Sequence, residues 1–557
     1  MNISIKTIPQ KYLAYGFIVF YFLLNIFQAN YTELTSDEGY YWYLSAHLNW
    51  GYYDHPPLLP FLIYAGRHLF AGELGVRFTN VLLMSMGLVF LFKLLEKDEQ
   101  WQSHLYLIVL SLPLFNYISI VVFPDTPLVA ISMVYLFFYK RFLEKDDFVS
   151  ALILGVSLAA MLYAKYHAVL IVLFVLMSNI SLLRNKKFVL SLFIAAALYV
   201  PHLYWQYTHD FVSIKYHLLS RSNGFNISFL TEYPSVQFLV LGPALIIVPF
   251  IYKAKDLFER ALKCVLIGTL SFFLLATFKG YVQFHWTSIV LFPLIILSYN
   301  YYSGRKKKLF LYLTLPTLLL VLFLRTYLAI KILPTNTFNH VDYFHGRHAW
   351  AEDIQHIAGD KPVVFENQLR EAPLYSFYSG KQSVALYGGD SKKTQYQLWN
   401  AEDGLQGKDV VIIKDGGCSS CTKLVTKMGK EITYMPYAHF ASYQNIRILL
   451  KNVTALSDTT VRVQLEIANH RDRPLLFAKN NFGEQPHLLC KVYAGAGKKD
   501  TTLTVRALSA DDSIAPHSRR VIAGEISLDG IRQGRTCSFG FDDGVFRPSS
   551  NSKRYAL

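Results

Sequence analysis

Residues 148–183 read FVSALILGVSLAAMLYAKYHAVLIVLFVLMSNISLL, two apolar runs that are separated only by Lys165, Tyr166 and His167. An α-helix needs about 20 predominantly apolar residues to cross a bilayer, and each run approaches that length. A basic cluster, Arg184 to Lys187, follows the second run directly. The stretch therefore predicts two transmembrane helices that are joined by a short polar turn.

The same alternation of apolar runs and short charged clusters extends over most of residues 1–331. Apolar residues make up 53% of the 557 residues and charged residues only 17%, whereas soluble proteins carry about 25% charged residues. This composition excludes a disordered chain, a collagen and a soluble nucleic-acid-binding protein. It predicts a polytopic α-helical membrane protein, and no nucleic-acid partner is expected.

Eleven transmembrane segments are predicted from the lengths of the apolar runs. They lie near residues 12–30, 76–95, 103–123, 126–142, 148–164, 166–183, 188–206, 235–252, 262–278, 286–302 and 309–331.

The distribution of basic residues predicts the orientation of these segments. With the N-terminus in the cytoplasm, 18 Lys and Arg residues fall on the cytoplasmic side and six on the other. Cytoplasmic loops carry the excess of Lys and Arg in membrane proteins. This asymmetry also accounts for most of the formal net charge of +15. An odd number of segments then places the C-terminal region outside the cytoplasm.

Residues 332–557 have the composition of a soluble region, and two domains are predicted there. In 332–445, the short buried strands 362–365 and 409–413 and a helix near 370–376 predict an α/β domain. In 446–557, alternation such as that of 460–467 predicts antiparallel strands and a β-sandwich. This region could dock an acceptor or act as a passive cap, and the sequence leaves both open.

Four of the five cysteines lie in the C-terminal region. Cys418 and Cys421 form a CxxC motif, which predicts a local disulfide outside the cytoplasm more readily than a zinc site. Cys490 and Cys537 are candidates for a second disulfide.

The distinctive polar residues of 1–331 fall on the predicted outer side. Ionisable groups close to the hydrocarbon are costly, so they are candidates for a functional site. The candidate catalytic acids are Asp37, Glu38 and Asp125, and the candidate substrate- and phosphate-binding residues are Tyr40, Asp54, His55, Arg77, Lys165, His167, Lys279 and His285.

Each of these groups also has a structural interpretation. Asp37 and Glu38 follow Thr35 and Ser36, as in a capped helix N-terminus. Asp125 lies between two prolines in a tight turn. The lysines and arginine could extend toward lipid headgroups. The functional interpretation is a carboxylate that accepts a proton from an acceptor hydroxyl, and cations that neutralise a phosphate leaving group.

Five motifs resemble bacterial glycosyltransferases of the GT-C superfamily. The groups that look most similar are the dolichyl-phosphate-mannose-protein mannosyltransferase-like proteins and the aminoarabinose transferase of lipid A. The resemblance covers about residues 30–300. The motifs are Thr35-Ser36-Asp37-Glu38, Tyr53-Asp54-His55-Pro56-Pro57-Leu58, Pro124-Asp125-Thr126-Pro127-Leu128, Lys165-Tyr166-His167 and His285-Trp286.

The resemblance implies transfer of a sugar from a polyprenyl-phosphate carrier, outside the cytoplasm and with inversion. It implies Asp37 as the catalytic base, Asp125 as a supporting acid and basic residues around the lipid phosphate. A bacterial inner membrane with a periplasmic C-terminal region follows from it. The acceptor would be lipid A, another envelope glycolipid or a protein.

The chain departs from the aminoarabinose transferase at two positions, which weakens any assignment of that sugar. His55 stands where that enzyme has a lysine, and Gly39 where it has a basic residue. The sequence requires no cofactor and leaves a divalent metal open, since Asp and His are competent ligands.

Two other functions remain open. A transporter or flippase of a lipid-linked precursor is the main alternative; it predicts charged residues deep in spans that Gly or Pro interrupts. A non-enzymatic envelope assembly protein is the other, but it leaves the outer acids unexplained.

Overall fold

A computed structural model describes most of the chain, and its residues form two compact units. The first unit extends to His345 and the second begins at Gly346. The described residues are 10–95, 102–220, 224–303, 307–333, 344–387, 394–416, 418, 421–444, 446–493, 500–528, 536–546 and 548–556. Five of the basic residues used for the orientation lie outside the described residues, namely Lys6, Lys97, Arg221, Arg305 and Lys306.

The described part of the first unit is helical. Its α-helices are α1 (Gln10–Tyr31), α2 (Ser36–Ser45), α3 (Leu58–Leu69), α4 (Gly72–Leu95), α5 (Gln102–Ser111), α6 (Pro113–Ile118), α7 (Asp125–Lys145), α8 (Phe148–Ala164), α9 (Ala168–Ser178), α10 (Lys186–Thr208), α11 (Val212–Lys215), α12 (Ile227–Leu241), α13 (Pro243–Ile246), α14 (Val248–Ile251), α15 (Leu257–Ala276), α16 (Leu291–Tyr302) and α17 (Lys307–Ala329). Two 3-10 helices (Ile180–Arg184 and Phe284–Val290) and a π-helical turn (Tyr216–Ser220) complete it.

Five helices among the described residues are long and apolar enough to cross a membrane, which supports a multi-pass membrane protein. They are α1, α4, α7, α10 and α17. The bent pair formed by α12 with the 243–251 segment adds a sixth candidate, and α8 and α9 are shorter apolar helices. The predicted count of eleven spans is therefore not confirmed by helix length alone.

Proline and glycine explain two of the interrupted segments. The predicted span 103–123 is divided into α5 and α6 at Pro113, which has no N–H to continue a helix. The predicted span 235–252 bends by 105° between α12 and α13. Gly242 lies at that bend with a φ of +79°, a conformation that residues with a Cβ rarely adopt, and Pro243 starts the next helix.

One buried polar network joins the last helix of the first unit to α1 and α6. The Arg325 guanidinium of α17 donates to the side-chain oxygens of Asn25 and Gln28 at 2.8 Å and of Asn116 at 2.9 Å. The Gln28 amide donates back to the Arg325 carbonyl at 2.8 Å. These contacts keep the guanidinium hydrogen-bonded where lipid and apolar side chains offer no acceptor.

The second unit contains three sheets, three α-helices and two 3-10 helices (Asp403–Leu405 and Ala510–Asp512) among its described residues. The helices are α18 (Arg347–Ala358), α19 (Glu371–Ser379) and α20 (Gln395–Leu398). The strands are β1 (Val363–Glu366), β2 (Ser383–Leu386), β3 (Val410–Lys414), β4 (Thr422–Val425), β5 (Glu431–Tyr437), β6 (Arg447–Ala455), β7 (Thr460–Ala468), β8 (His487–Val492), β9 (Thr501–Ala507), β10 (Arg519–Ser527), β11 (Thr536–Asp542) and β12 (Tyr555–Ala556).

The first sheet has the order β2-β1-β3-β5-β4, with β1 parallel to β2 and β3 and with β5 antiparallel to β3 and β4. The antiparallel sheets β10-β7-β6 and β12-β11-β8-β9 share one hydrophobic core, which includes Leu465, Ile522 and Phe539. The C-terminal region thus has a sheet with α/β connections and a two-sheet β-rich part. The domain boundary at 445/446 stays a prediction.

The cysteines follow the sequence expectation only in part. Cys418 and Cys421 form a disulfide. Cys490 and Cys537 are free thiols in the core of the β-rich part, so the idea of a second disulfide is wrong for this structure. Cys490 lies opposite Phe539, and Cys537 lies opposite Val492, so the two cysteines are diagonal neighbours on β8 and β11. Diagonal neighbours are farther apart than directly opposite residues.

Candidate functional site

Asp37 and Glu38 lie in the first turn of α2, which begins with a capping box. The Thr35 side chain accepts a hydrogen bond from the Glu38 backbone, and the Glu38 carboxylate accepts from the Thr35 backbone N–H at 3.0 Å. This reciprocal pattern satisfies backbone donors at a helix N-terminus, as the motif predicts. Glu38 therefore has the helix-capping role that the structural interpretation of this acidic pair predicts.

Glu38 is also paired with Arg77 of α4, and both side chains are fully buried. Arg77 Nε donates to Glu38 Oε1 and its Nη2 donates to Oε2, both at 2.7 Å. The guanidinium also donates to the carbonyls of Ala29 and Glu33 at 2.9 and 3.0 Å. Arg77 thus holds the end of α1 and the start of α2 together, and it is not exposed to a lipid phosphate.

A fourth contact of Glu38 connects α2 to the segment before Asp125. The Val122 backbone N–H donates to Glu38 Oε1 at 3.0 Å. Asp125 follows three residues later, at the start of α7. The acidic motifs at Asp37-Glu38 and at Asp125 are therefore neighbours in space.

Asp125 is the centre of a buried polar cluster, the Asp125 cluster, formed by Asp125, Lys165, His285 and Ser288. Lys165 Nζ lies 2.6 Å from Asp125 Oδ2, and Ser288 Oγ donates to Oδ1 at 2.8 Å. His285 Nε2 lies 3.8 Å from Oδ2, and the His285 ring stacks on Phe123 with centroids 4.7 Å apart. The carboxylate is completely buried, whereas Lys165 keeps 10% of its side chain exposed.

Lys165 lies in the break between α8 and α9, where the backbone is extended. The conformation of Lys165 ends α8 and turns its side chain toward α7. His167 then precedes α9, with its ring 5.0 Å from Phe273 and 5.7 Å from Trp286. The predicted polar break between two apolar helices is therefore present, and it supplies the cation of the cluster.

A second group, the Asp54 cluster, consists of Tyr40, Tyr41, Asp54 and His55. Tyr40 Oη donates to Asp54 Oδ1 at 2.9 Å, and Tyr41 Oη lies 3.5 Å from His55 Nε2. His55 Nε2 is 3.5 Å from Asp54 Oδ2, and about a sixth of each of these two side chains is exposed. Residues three and four apart share one side of a helix. Asp37 therefore lies on the side of α2 that carries Tyr40 and Tyr41.

The two clusters are connected through Tyr166 and His217. Tyr166 follows Lys165, and its ring contacts the His217 ring edge-on with centroids 5.5 Å apart. His217 Nε2 is within 2.9 Å of the Asp54 carbonyl oxygen. Together with the Val122–Glu38 hydrogen bond, this contact closes a ring of polar residues that includes both clusters.

Eight of the residues predicted from the sequence lie in the two clusters or in one buried pair. The structure brings Asp125, Lys165 and His285 together, and separately Tyr40, Asp54 and His55. Glu38 and Arg77 form the buried pair beside them. Lys279 is exposed in the segment after α15, outside both clusters.

Sequence reasoning did not single out Ser288, His202 or His217. The signal for His202 was available, since it is an ionisable residue inside the predicted span 188–206. Ser288 and His217 carry no such signal, because a serine and a loop histidine are common at any surface. Among the residues that the structure describes, no group of three or more His, Cys, Asp or Glu side chains is arranged to hold a metal ion.

Part of the sequence is similar to a known protein family. The sequence pattern of the family described as dolichyl-phosphate-mannose-protein mannosyltransferase matches residues 54–205. That range contains Asp54, His55, Asp125 and Lys165, whereas Asp37 and His285 lie outside it.

A curated relative is the lipid A galacturonosyltransferase RgtD of Rhizobium johnstonii, which is 23% identical over 243 residues. The alignment covers 41% of this chain and spans half the length of that relative.

Two solved structures of ArnT from Cupriavidus metallidurans have the same fold as this chain. The apo structure matches with a TM-score of 0.55, and the structure bound to undecaprenyl phosphate with a TM-score of 0.52. In each case the identity is 12%, and the match covers 76% of this chain and 98% of ArnT. The chain is a multi-pass membrane protein that shares the fold of ArnT, and its residues 54–205 are similar to the dolichyl-phosphate-mannose-protein mannosyltransferase family.

Proposed function

We propose that the protein transfers a sugar from a polyprenyl-phosphate carrier to a lipid acceptor of the cell envelope, with inversion at the anomeric carbon. The observation that carries the proposal is the Asp125–Lys165 pair at a helix break, next to the acid-bearing start of α2. Two relatives support the acceptor and donor classes: RgtD is named as a lipid A galacturonosyltransferase, and one ArnT structure is bound to undecaprenyl phosphate.

Lys165 is proposed to bind the phosphate of the donor. An ammonium group has three N–H donors, so it can hold a carboxylate and a phosphate at the same time. Asp125 keeps Lys165 charged and oriented, and Ser288 holds the other carboxylate oxygen. As the anomeric C–O bond breaks, negative charge accumulates on the phosphate, and fixed cations stabilise that charge. His55 and His285 are the other donors at this face.

Asp37 is proposed as the general base, and Glu38 as a positioning residue. Glu38 already accepts hydrogen bonds from Arg77, Val122 and Thr35 in a fully buried setting. A base needs a lone pair that reaches the acceptor hydroxyl. Asp37 is half-buried on the side of α2 that faces the Asp54 cluster, where Tyr40 and Asp54 can orient a sugar hydroxyl.

The chemistry is balanced without a further reactant. Asp37 takes the proton from the acceptor hydroxyl, and the acceptor oxygen forms the new bond to the anomeric carbon. The carrier phosphate leaves with the bonding electrons. An outer-face location and a cytoplasmic N-terminus complete the proposal and are supported by the distribution of Lys and Arg. The bacterial inner membrane is part of the proposal and is supported by the similarity to bacterial relatives.

Mass spectrometry of envelope lipids tests the proposal in cells that lack the gene. The cells are complemented with wild type, Asp37→Asn or the control Asp210→Asn, whose side chain is 89% exposed. We expect a sugar-sized mass that wild type and the control restore and Asp37→Asn does not. Identical spectra in every strain would contradict the proposal and favour transport of a lipid-linked precursor. If a protein gained the sugar-sized mass and the lipids were unchanged, the acceptor would be a protein and not a lipid.

A further inference from the structure

His202 of α10 is a buried histidine that lies outside both clusters. It is 1% exposed, and each ring nitrogen has a polar neighbour. Nδ1 is 2.7 Å from the Trp50 carbonyl oxygen, and Nε2 is 3.0 Å from Tyr166 Oη. A carbonyl only accepts, so Nδ1 carries the hydrogen, and Nε2 of the neutral ring accepts from the Tyr166 hydroxyl.

Gln206, one turn further along α10, strengthens this arrangement. Its amide nitrogen donates to Tyr166 Oη at 2.9 Å and lies 3.2 Å from His202 Nε2. Gln206 is itself 1% exposed. The Tyr166 hydroxyl is therefore held by two buried side chains from one turn of a neighbouring helix.

Tyr166 lies in the break between α8 and α9, where regular helical hydrogen bonding stops. The Lys165 N–H still bonds to the Met161 carbonyl at 2.9 Å, but Lys165 itself is extended. Side-chain contacts on both sides then define the path of the chain. Lys165 is held by Asp125, and Tyr166 by His202 and Gln206.

The same turn of α10 also fixes the first outer loop, residues 46–57 between α2 and α3. His202 holds the Trp50 carbonyl, and Gly51 packs against the Trp205 indole so closely that an added Cβ would lie 2.3 Å from the ring. Asp54 and His55 follow a few residues later. One short segment of α10 thus contacts the loop that carries the Asp54 cluster and the break that carries Lys165.

We propose that His202 is a positioning residue that acts through the Tyr166 hydroxyl to place the Lys165 ammonium for the phosphate of the donor. The inference rests on the proposed function of Lys165 and adds a residue that does not touch the donor. It treats the His202–Tyr166 contact as the link between the first outer loop and the phosphate-binding lysine.

A double-mutant cycle on the full-length protein tests the inference, with undecaprenyl phosphate as the probe. The variants are Tyr166→Phe, His202→Asn and the double variant. His202→Asn keeps an amide near the Trp50 carbonyl but is too short to reach Tyr166. Tyr199→Phe is the matched control, since the Tyr199 ring lies 5.0 Å from the His202 ring while its hydroxyl donates to the Leu162 carbonyl at 3.5 Å.

We expect each single variant to bind the probe about tenfold more weakly, and the double variant no more than about threefold more weakly than either. Tyr199→Phe should bind like wild type. Full affinity in Tyr166→Phe, or losses that multiply to about a hundredfold in the double variant, would overturn the inference. A role in stability alone would change the melting temperature and leave the affinity of the folded protein unchanged.

Lys165→Met separates this inference from the proposed function. If Lys165→Met binds the probe like wild type, the proposed phosphate site is wrong. If Lys165→Met loses binding while Tyr166→Phe and His202→Asn keep it, only the positioning role is wrong. Should His202→Asn not fold, Tyr166→Phe decides alone, because it removes a single oxygen.

Discussion

Lys165 Nζ lies 2.6 Å from Asp125 Oδ2, between the break after α8 and the start of α7. The pair joins two residues that are 40 positions apart in the chain. A charge buried in this way is tolerated because its partner and a serine hydroxyl satisfy it. Because of this contact, the stability of the protein depends on both residues together. Binding of the donor phosphate, in contrast, is expected to depend on Lys165.

Lys165→Met should destabilise the protein and remove donor binding. It leaves the Asp125 carboxylate buried without its cation, and breaking a buried pair costs about 3–5 kcal/mol. Adding Asp125→Asn should recover most of the melting temperature, since the uncompensated charge is gone, but not the affinity for undecaprenyl phosphate. Recovery of both properties would show that Lys165 does not bind the phosphate.

Asp37→Asn and Glu38→Gln should affect different properties although the residues are adjacent. We expect Asp37→Asn to lower turnover by about 100-fold or more with little change in melting temperature, because it removes a base. Glu38→Gln should lower the melting temperature, because it leaves the buried Arg77 guanidinium without its carboxylate. The measurements are modified lipid per folded enzyme and thermal unfolding in detergent. If Glu38→Gln lowered turnover and Asp37→Asn lowered the melting temperature instead, Glu38 would be the base and Asp37 the positioning residue.

Arg325→Met should weaken the attachment of α17 to the rest of the first unit. The substitution keeps much of the volume but leaves the amides of Asn25, Gln28 and Asn116 without their shared donor. Unsatisfied buried polar groups cost about 1–3 kcal/mol each. The melting temperature should fall, whereas Arg260→Met, at an exposed position of α15, should have a smaller effect. An equal effect of both would argue against a special role of the network.

Asp543 should make the stability of the second unit depend on pH. Burial raises the pKa of its carboxyl from an ordinary 3.8 to about 6. The folded state then binds the proton more tightly than the unfolded state. Its stabilising contribution is complete below about pH 4 and is lost as the pH rises through about 6, by about 3 kcal/mol at most.

Asp543→Asn tests this dependence, because the amide oxygen can still accept from the Val545 and Phe546 N–H groups. The variant should melt at a higher temperature than wild type at pH 7 and at a similar temperature at pH 4.5. Asp542→Asn, next to it and less buried, is the control. A constant difference between Asp543→Asn and wild type at both pH values would contradict the prediction.

Alkylation should distinguish the two cysteines of the disulfide from the three free thiols. Under denaturing conditions without reductant, Cys264, Cys490 and Cys537 should be alkylated, and Cys418 and Cys421 should not. Peptide mass spectrometry reads this directly. A linked Cys490–Cys537 peptide would instead support the second disulfide, and protein reduced before alkylation provides the control.

The apolar helices of the first unit show what local patterns can predict. α1, α4, α7, α8, α10 and α17 coincide with predicted segments, because a long apolar run folds as a helix wherever lipid replaces water. The segments 103–123 and 235–252 differ from the prediction at Pro113 and Gly242. A proline or glycine inside an apolar run has several outcomes, and packing against neighbours selects among them.

The candidate site shows where local patterns stop. The acids and cations were predicted to meet on one membrane face; Asp125, Lys165 and His285 do meet, and the membrane face stays a prediction. The pairing of Arg77 with Glu38, instead of with a lipid phosphate, was not predictable from either motif. His202, Ser288 and His217 join the site from distant parts of the chain, so only their neighbours in space reveal them.

By itself the sequence determined a membrane-embedded helical unit, a sheet-containing C-terminal unit and a set of candidate acids and cations on one face. Apolar length, strand alternation and charge distribution are properties of contiguous residues, so they can be read without coordinates. Only the tertiary structure decided which acid holds which cation. Those contacts, together with the Ser288–Asp125 hydrogen bond, join residues from 39 to 163 positions apart, and their energies depend on burial and geometry that no local pattern contains.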